Sequence, residues 1–173
     1  RHHLVLTTPY FVPDDPLAAA LSSAAARGVQ VQLVLPARND SIMANHACNA
    51  FMEELLEAGV EVYRYDAGLL HTKSVLVDDD FALVGTVNLD RRSLWLNFEV
   101  TLLIDNPLFV AEMTHLVQGY MTEATPMSLA KWRDRPRYKK VMENIFYLFS
   151  PLLLHYIITV DAELDLPSPD IAP

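Results

Sequence analysis

One segment of the sequence places five polar side chains of different chemistry at short, regular spacing. His71, Lys73 and Asp78 lie in one apolar run, and Thr86 and Asn88 lie in the next. Consecutive aspartates separate the two runs, a pattern that predicts a β-hairpin with a tight polar turn. An imidazole, an ammonium group, a hydroxyl and an amide on one surface suit the oxygens of a phosphoryl group. The segment therefore predicts phosphodiester chemistry.

The length of the turn decides which residues face each other across this hairpin. A two-residue loop at 79–80 would place Lys73 opposite Thr86 and His71 opposite Asn88. Residues two apart in a strand share a face, and directly opposed residues share that face as well. We therefore expect these four side chains to converge on one side of an otherwise apolar ribbon.

Lys73 is the member of this group whose charge needs an explanation. A lysine that points inward from an apolar strand is costly to bury unless an anion meets its ammonium group. That anion could be a carboxylate of the same chain, such as Glu99, or the phosphate of a substrate. A single histidine such as His71 would ordinarily be structural, but its fixed spacing from Lys73 favours the substrate phosphate.

The spacing HxKxxxxD followed by GTxN resembles the motif of the phospholipase D superfamily. Three longer words narrow the resemblance: TTPYFVPDD at 7–15, LLEAGVEVYRYDAGLLHTKSVLVD at 55–78 and VGTVNLDRRSLWLNFEVTLLID at 84–105. They are similar to the C-terminal catalytic half of bacterial cardiolipin synthases, and the resemblance runs from about residue 4 to about residue 152. It implies a phospholipase D-like half-domain that carries the second HKD motif.

The resemblance also implies a mechanism and a role for each motif residue. One histidine attacks phosphorus and forms a phosphohistidine, while the histidine of the other half protonates the leaving alcohol. In a second half, His71 would be that general acid and later the general base. Lys73 and Asn88 would hold the nonbridging oxygens, and Thr86 would supply a further hydroxyl. No cofactor is implied, and no metal is expected, because the six histidines lack the spacing of metal ligands.

Two carboxylates complete the candidate catalytic set. A catalytic imidazole needs its second ring nitrogen fixed by an acceptor, and Glu99 matches the glutamate of the resembled family. We therefore predict a hydrogen bond between Glu99 and His71. Asp78 belongs to the motif, but strand alternation turns it away from the histidine or leaves it in the turn. We expect a structural carboxylate there, with Arg91 or Arg92 as its partner.

Two strand–helix–strand patterns precede the hairpin and predict parallel neighbours with right-handed crossovers. The predicted fold is α/β, with a mixed, mostly parallel β-sheet that is flanked by helices on both faces. Tyr10, Phe11 and Asp40 follow the carboxyl ends of two predicted parallel strands. Active sites in open α/β sheets favour that edge, so these residues are candidate contacts for a headgroup or an acyl chain. Ordinary loop packing and helix capping explain them equally well.

The domain boundaries follow from shifts in composition. Residues 1–125 are the predicted catalytic half-domain, 126–160 a basic and aromatic helical segment, and 161–173 a disordered acidic tail. Residues 131–140 hold six of the thirteen Lys and Arg residues of the chain. Beside an apolar aromatic run, this predicts an interfacial membrane contact. The alternative is a C-terminal helix that caps the domain or packs on the first catalytic half.

Charge and hydropathy restrict the partners. A formal charge of −9 and a pI near 5.0 argue against a general nucleic-acid binder. The chain begins without methionine and has no apolar run of eighteen residues, so we expect a fragment of a longer protein. The resemblance implies that phosphatidylglycerol, a membrane surface and a first catalytic half are its partners. It also implies anchoring in the bacterial cytoplasmic membrane by segments that this sequence does not contain.

The leading functional hypothesis is a phosphatidyltransferase that makes cardiolipin from two phosphatidylglycerol molecules. The alternatives among enzymes are a phospholipase D-type hydrolase and a single-motif nuclease that dimerises. A nuclease would favour a basic face near His71, whereas the basic residues are concentrated far downstream. A third hypothesis is a degenerate half that only binds phospholipid, and the intact Lys73, Asn88 and Glu99 argue against it.

Overall fold

The computed structural model describes residues 2–39 and 42–148. The strands are β1 (His3–Thr7), β2 (Phe11–Val12), β3 (Gln30–Pro36), β4 (Glu61–Tyr65), β5 (Ser74–Val77), β6 (Phe81–Gly85), β7 (Leu89–Asp90), β8 (Thr101–Ile104) and β9 (Ala124–Pro126). The helices are α1 (Asp15–Ala26), α2 (Ile42–Ala58), α3 (Arg91–Trp95), α4 (Pro107–Thr122) and α5 (Leu129–Arg133). Residues 137–148 are also helical.

Seven strands form one mixed sheet in the order β8-β6-β5-β1-β3-β4-β9, and β2 pairs with β7 in a separate two-stranded sheet. The α/β class and the mixed sheet are confirmed, but the expectation of a mostly parallel sheet is wrong. Among the described strands of the large sheet, β1–β3 and β3–β4 are parallel and the other four pairings are antiparallel. In this sheet the two helical crossovers produce the parallel neighbours, whereas the β1–β5, β5–β6, β6–β8 and β4–β9 pairings are antiparallel.

Helices cover both faces of the sheet, as predicted. Leu6 and Leu33 point to one face, where they pack with buried residues of α1 and α2. Val5 and Val34 point to the other face, where they pack with Val110 and other residues of α4. The alternation follows from the two-residue period of a strand, and it explains why residues 4–6 of β1 and 33–35 of β3 are consecutive apolar residues.

The hairpin of β5 and β6 forms, but its register differs by one residue from the predicted one. Val77 pairs with Phe81, so the loop has three residues, 78–80, rather than two. Asp78 adopts a left-handed conformation with φ 51°, which takes it out of the strand. Its carboxylate accepts hydrogen bonds from the backbone N–H groups of His2 and His3 at 2.7 and 2.8 Å. These two bonds hold the residue in the loop.

The one-residue shift in register changes the residue of β6 that faces Lys73. Gly85 donates its backbone N–H to the carbonyl of Lys73 at 3.3 Å, so Lys73 faces Gly85 and not Thr86. A Cβ atom on Gly85 would lie 2.0 Å from the carbonyl oxygen of Val100. A glycine is therefore required at this position if β8 is to approach β6.

The basic C-terminal segment packs against α2. Arg133 forms an ion pair with Glu57, and Lys140 donates to Glu53 at 2.6 Å. Glu143 is buried and accepts two hydrogen bonds from Arg135, at 2.7 and 3.1 Å. This contact corresponds to the capping alternative. Strand β9 crosses the predicted boundary at residue 125, and the predicted disordered tail 161–173 lies outside the described residues.

Candidate active site

The candidate active site lies at the carboxyl edge of the parallel strands. Thr7, the last residue of β1, pairs with Ser74, the first residue of β5. The segment that carries His71 and Lys73 therefore enters the sheet beside the loops that follow β1 and β3. Asn39 ties these two loops together by donating its side-chain amide to the carbonyl of Pro9 at 3.0 Å.

Lys73 stands at the centre of this edge. Its Nζ donates a hydrogen bond to the backbone carbonyl of His71 at 2.9 Å, which fixes the two residues relative to each other. Burial lowers the pKa of Lys73, and the negative charge of Glu99 opposes that effect. The imidazole of His71 is exposed and forms no hydrogen bond with any residue that the structure describes.

Thr86 and Glu99 form a second pair beside Lys73. The Thr86 hydroxyl donates to one carboxylate oxygen of Glu99, and the Asn97 amide donates to the other at 3.1 Å. These hydrogen bonds lower the pKa of Glu99, so its carboxylate is stabilised as an anion. The backbone N–H of Val100 in turn donates to the Thr86 hydroxyl at 3.0 Å. Within the described part of the chain, the predicted hydrogen bond between Glu99 and His71 is not formed.

Asn88 is held by two residues to which the sequence assigned no role. Its side-chain amide donates to the hydroxyl of Ser93 at 3.3 Å, and Ser93 is buried. The buried carboxylate of Asp90 caps α3 by accepting from the backbone N–H of Ser93 at 2.8 Å and from its hydroxyl at 3.2 Å. Ser93 also contributes to the lowered pKa of Glu99. One buried serine thus contacts both the amide of Asn88 and the carboxylate of Asp90.

Thr8 links this group to the central sheet. Its hydroxyl donates to the carbonyl of Tyr10 at 2.9 Å and accepts from the backbone N–H of Leu89 at 3.3 Å. The pairing of β2 with β7 adds backbone hydrogen bonds between the same two segments. A sequence signal existed for Asp90, since aspartate is a preferred residue at the N-cap of a helix. No comparable signal identified Thr8.

Asp78 does not belong to the group. It follows β5 at the edge opposite Lys73, and five residues of strand at roughly 3.3 Å each place the two Cα atoms about 16 Å apart. The prediction that its carboxylate is structural agrees with its hydrogen bonds to the N-terminal backbone. The suggested arginine partners are wrong, because Arg91 pairs with Asp15 and Arg92 donates to Asn97.

The three candidate contact residues of the loops have different environments. Tyr10 is half-buried in the loop between β1 and β2. Phe11 is buried in the core with its ring edge-on to Phe51 at a centroid distance of 6.4 Å, so it contributes to packing and not to a ligand surface. Asp40 lies outside the described residues.

A cavity of about 180 Å³ opens beside Lys73 between the central strands and the loop that follows β6. Its walls are mostly apolar; the residues that line it are Thr7, Lys73, Ser74, Val75, Leu83, Gly85, Val87, Leu89 and Thr101. The lysine is the one positively charged side chain among these described lining residues. Buried Asn88 Oδ1 has no hydrogen-bond partner among the described residues, which leaves an unsatisfied polar atom close to this site.

No group of three or more His, Cys, Asp or Glu side chains among the described residues could hold a metal ion. None of the described helices is long and apolar enough to cross a membrane.

Solved structures with the same architecture define the class of this fold. The phospholipase D family member Nuc from Salmonella typhimurium superposes with a TM-score of 0.66 at 20% identity, covering 73% of this chain and 82% of Nuc. Phosphatidylserine synthase from Haemophilus influenzae superposes with a TM-score of 0.64 at 18% identity, covering 91% of this chain and 41% of that one. At these identities the likeness concerns the fold alone, which is phospholipase D-like.

Sequence comparison assigns the chain to a narrower group than the phospholipase D-like fold class. The family model described as cardiolipin synthase, PLD-like domain, matches residues 1–121, so the chain belongs to that family. The resemblance drawn from the motif words is thereby confirmed. Cardiolipin synthase A of Cronobacter sakazakii is 52% identical over 153 residues, and that of Klebsiella pneumoniae is 50% identical over the same length. The matched segment covers 88% of this chain but 32% of either relative, so the chain spans about a third of their length.

Proposed function

We propose that this chain is one catalytic half of a phosphatidyltransferase that makes cardiolipin from two phosphatidylglycerol molecules through a phosphohistidine. The observation that carries the proposal is the grouping of Lys73, Thr86 and Glu99 at the sheet edge where His71 is exposed. Membership in the cardiolipin synthase family supports the choice of reaction. The reaction as a whole requires a second histidine, which the other half of the enzyme would carry.

The proposed roles follow the sequence of bonds that break and form. The histidine of the other half attacks phosphorus, and the bond from phosphorus to the glycerol oxygen of the first phosphatidylglycerol breaks. His71 gives its proton to that oxygen and releases glycerol. It then removes the proton from a hydroxyl of the second phosphatidylglycerol, which attacks the phosphohistidine and yields cardiolipin. The exposed imidazole leaves room for these alcohols.

Lys73 and Asn88 would bind the nonbridging oxygens of the phosphoryl group. The Lys73 ammonium is fixed by the His71 carbonyl, so it needs little rearrangement when negative charge builds up on phosphorus. The Asn88 amide is held by Ser93 in a buried setting, where a hydrogen bond to an oxyanion is strong. Thr86 and Glu99 would keep the loop that carries Asn88 closed against β8.

We propose further that the partner of this chain is the first catalytic half, docked against β8. Among the described strands β8 lies at one end of the sheet. Its consecutive residues Leu102 and Leu103 are 60 and 66% exposed although they point to opposite faces. A bilayer could cover one face, but it offers no hydrogen bonds to an unpaired strand edge. A protein surface can cover both faces and the edge. Phe98 and Val100, which are also exposed, extend the apolar surface toward Glu99.

The proposed substrates place the enzyme at a membrane. Phosphatidylglycerol resides in a bilayer, so the edge that carries His71 must approach a lipid surface. Membership in the cardiolipin synthase family supports placing the full-length protein at the bacterial cytoplasmic membrane.

A lipid-product assay tests the proposed function. The full-length enzyme is incubated with phosphatidylglycerol, and the products are separated by mass. We expect cardiolipin and glycerol from the unmodified enzyme, and neither above background from His71→Ala. Phosphatidic acid in place of cardiolipin would instead identify a phospholipase D-type hydrolase, and near-normal cardiolipin from His71→Ala would refute the assigned role. The isolated chain supplies one motif histidine, so we expect little turnover from it as a monomer.

A further inference from the structure

The helix at residues 137–148 carries an apolar surface that stays exposed within the part of the chain that the structure describes. Five of its side chains are between 43 and 71% exposed: Tyr138, Val141, Met142, Ile145 and Leu148. At about 100° per residue, these five positions fall on a stripe roughly 120° wide. A single apolar stripe of this width is typical of a helix that lies against another surface.

The opposite side of the same helix is the one that packs on the domain. Glu143 is buried, and Phe146 stacks on His46 with ring centroids 4.8 Å apart. Tyr147 packs edge-on against Phe51 at 5.1 Å and accepts a hydrogen bond from Arg91 at 2.6 Å. Because these contacts fix the rotation of the helix about its axis, the apolar stripe points away from the domain.

Basic residues border the stripe. Arg137 and Lys139 are exposed and form no ion pair with any described residue. Between α5 and this helix lies a cleft of about 410 Å³, lined by Trp132, Arg133, Arg135 and Lys140 together with Arg137 and one acidic residue. The guanidinium of Arg135 lies over the Trp132 ring, 3.1 Å from its centroid. Arg133, Arg135 and Lys140 of the cleft are paired with Glu57, Glu143 and Glu53, so the uncompensated positive charge beside the stripe belongs to Arg137 and Lys139. The surface therefore combines an apolar stripe with two unpaired cations, within a chain whose formal charge is −9.

We infer that residues 137–148 form an interfacial helix that lies on an anionic lipid bilayer. The stripe would enter the boundary between headgroups and acyl chains, and the flanking cations would meet the phosphates. A protein partner is less suited to this surface than to β8, because the helix is exposed on one face only and leaves no backbone edge unpaired. This surface is distinct from the candidate active site, and its contact with a bilayer does not require turnover.

Vesicle binding by the chain itself tests the inference. The chain is sedimented with vesicles of phosphatidylcholine alone or with one third phosphatidylglycerol. We expect binding to the anionic vesicles and a loss of at least about ten-fold in partition for Val141→Glu combined with Ile145→Glu, since the change removes apolar contact and adds negative charge. Arg137→Gln with Lys139→Gln should weaken binding to the anionic vesicles and leave the residual binding to neutral ones unchanged.

Two controls separate this surface from the rest of the protein. Leu108→Glu alters an equally exposed leucine at the start of α4 and should bind vesicles like the unmodified chain. His71→Ala should also bind like the unmodified chain, which separates membrane contact from the proposed catalysis. The inference is overturned if the unmodified chain does not bind anionic vesicles, or if the Val141→Glu, Ile145→Glu chain binds them as well as the unmodified one.

Discussion

The side-chain amide of Asn88 donates a hydrogen bond to the buried hydroxyl of Ser93, with 3.3 Å between Nδ2 and Oγ. Ser93 in turn donates to Asp90, the N-cap of α3. The first turn of the five-residue helix α3 thereby fixes the direction of the Asn88 side chain, which is the candidate group for binding the phosphate. This relationship makes Ser93 a positioning residue for the proposed reaction.

Removing the Ser93 hydroxyl should lower kcat more than it weakens substrate binding. For Ser93→Ala in the full-length enzyme, we expect kcat to fall about ten-fold, equivalent to about 1.4 kcal/mol of transition-state stabilisation, with KM changed by less than two-fold. Initial rates of cardiolipin formation across a range of phosphatidylglycerol concentrations measure both. Ser22→Ala, which removes a buried hydroxyl without a described partner on α1, is the matched control and should keep normal rates. A Ser93→Ala enzyme with normal kcat would show that Asn88 is positioned by other groups.

The aspartate of the motif should matter for stability and not for chemistry. Asp78→Asn keeps a residue type that tolerates the left-handed conformation but weakens the hydrogen bonds to the backbone N–H groups of His2 and His3. We expect the free energy of unfolding to fall by about 1 kcal/mol and kcat to stay within two-fold of normal. Urea denaturation of the chain and product assays on the full-length enzyme give the two values. A large loss of kcat with unchanged stability would place Asp78 in the catalytic machinery after all.

Gly85 offers a test of how closely β8 approaches β6. A methyl group at this position would collide with the backbone of Val100 and Thr101, so Gly85→Ala should destabilise the fold by about 3 kcal/mol. Gly119→Ala is the matched control, because a Cβ on this α4 residue meets nothing within 4 Å. In a helix that change should stabilise by about 0.5–1 kcal/mol. Thermal unfolding that ranks the two variants in the reverse order would contradict the β6–β8 contact.

The lowered pKa of Glu99 predicts a contribution to stability that depends on pH. Hydrogen bonds from Thr86 and Asn97 favour the carboxylate in the folded state, so the folded pKa lies below the unfolded value of about 4.3. The stabilisation is therefore complete above the unfolded pKa and is lost as the pH falls through the folded pKa. We expect the difference in Tm between the unmodified chain and Glu99→Gln to be constant from pH 6 to 7 and to shrink below about pH 4. A difference that grows on acidification would reverse the sign assigned here.

The sequence indicated which residues gather at one sheet edge better than it predicted the contacts that position them. Spacing predicted that Lys73 and Thr86 share one sheet edge, because two-residue alternation and the pairing of consecutive strands in a hairpin are local properties. Glu99 was added through its match to the glutamate of the resembled family. The predicted hairpin register is wrong because Asp78 leaves the strand in a left-handed conformation. Backbone N–H groups of His2 and His3 hold it there, and no local sequence pattern indicates that contact. The expected bond from Glu99 to His71 failed for a related reason. Asn97 and Thr86 compete for the same carboxylate, and their proximity depends on how β8 returns to β6.

The exposed edge at β8 also has a consequence for handling this chain in isolation. A strand with bare apolar side chains on both faces and an unpaired edge is a template for another strand of its own kind. Copies of the chain should therefore self-associate as the protein concentration rises, with Leu102 and Leu103 at the centre of the contact. The surface that we propose for recognition of the first catalytic half should thus also promote self-association of the chain without it.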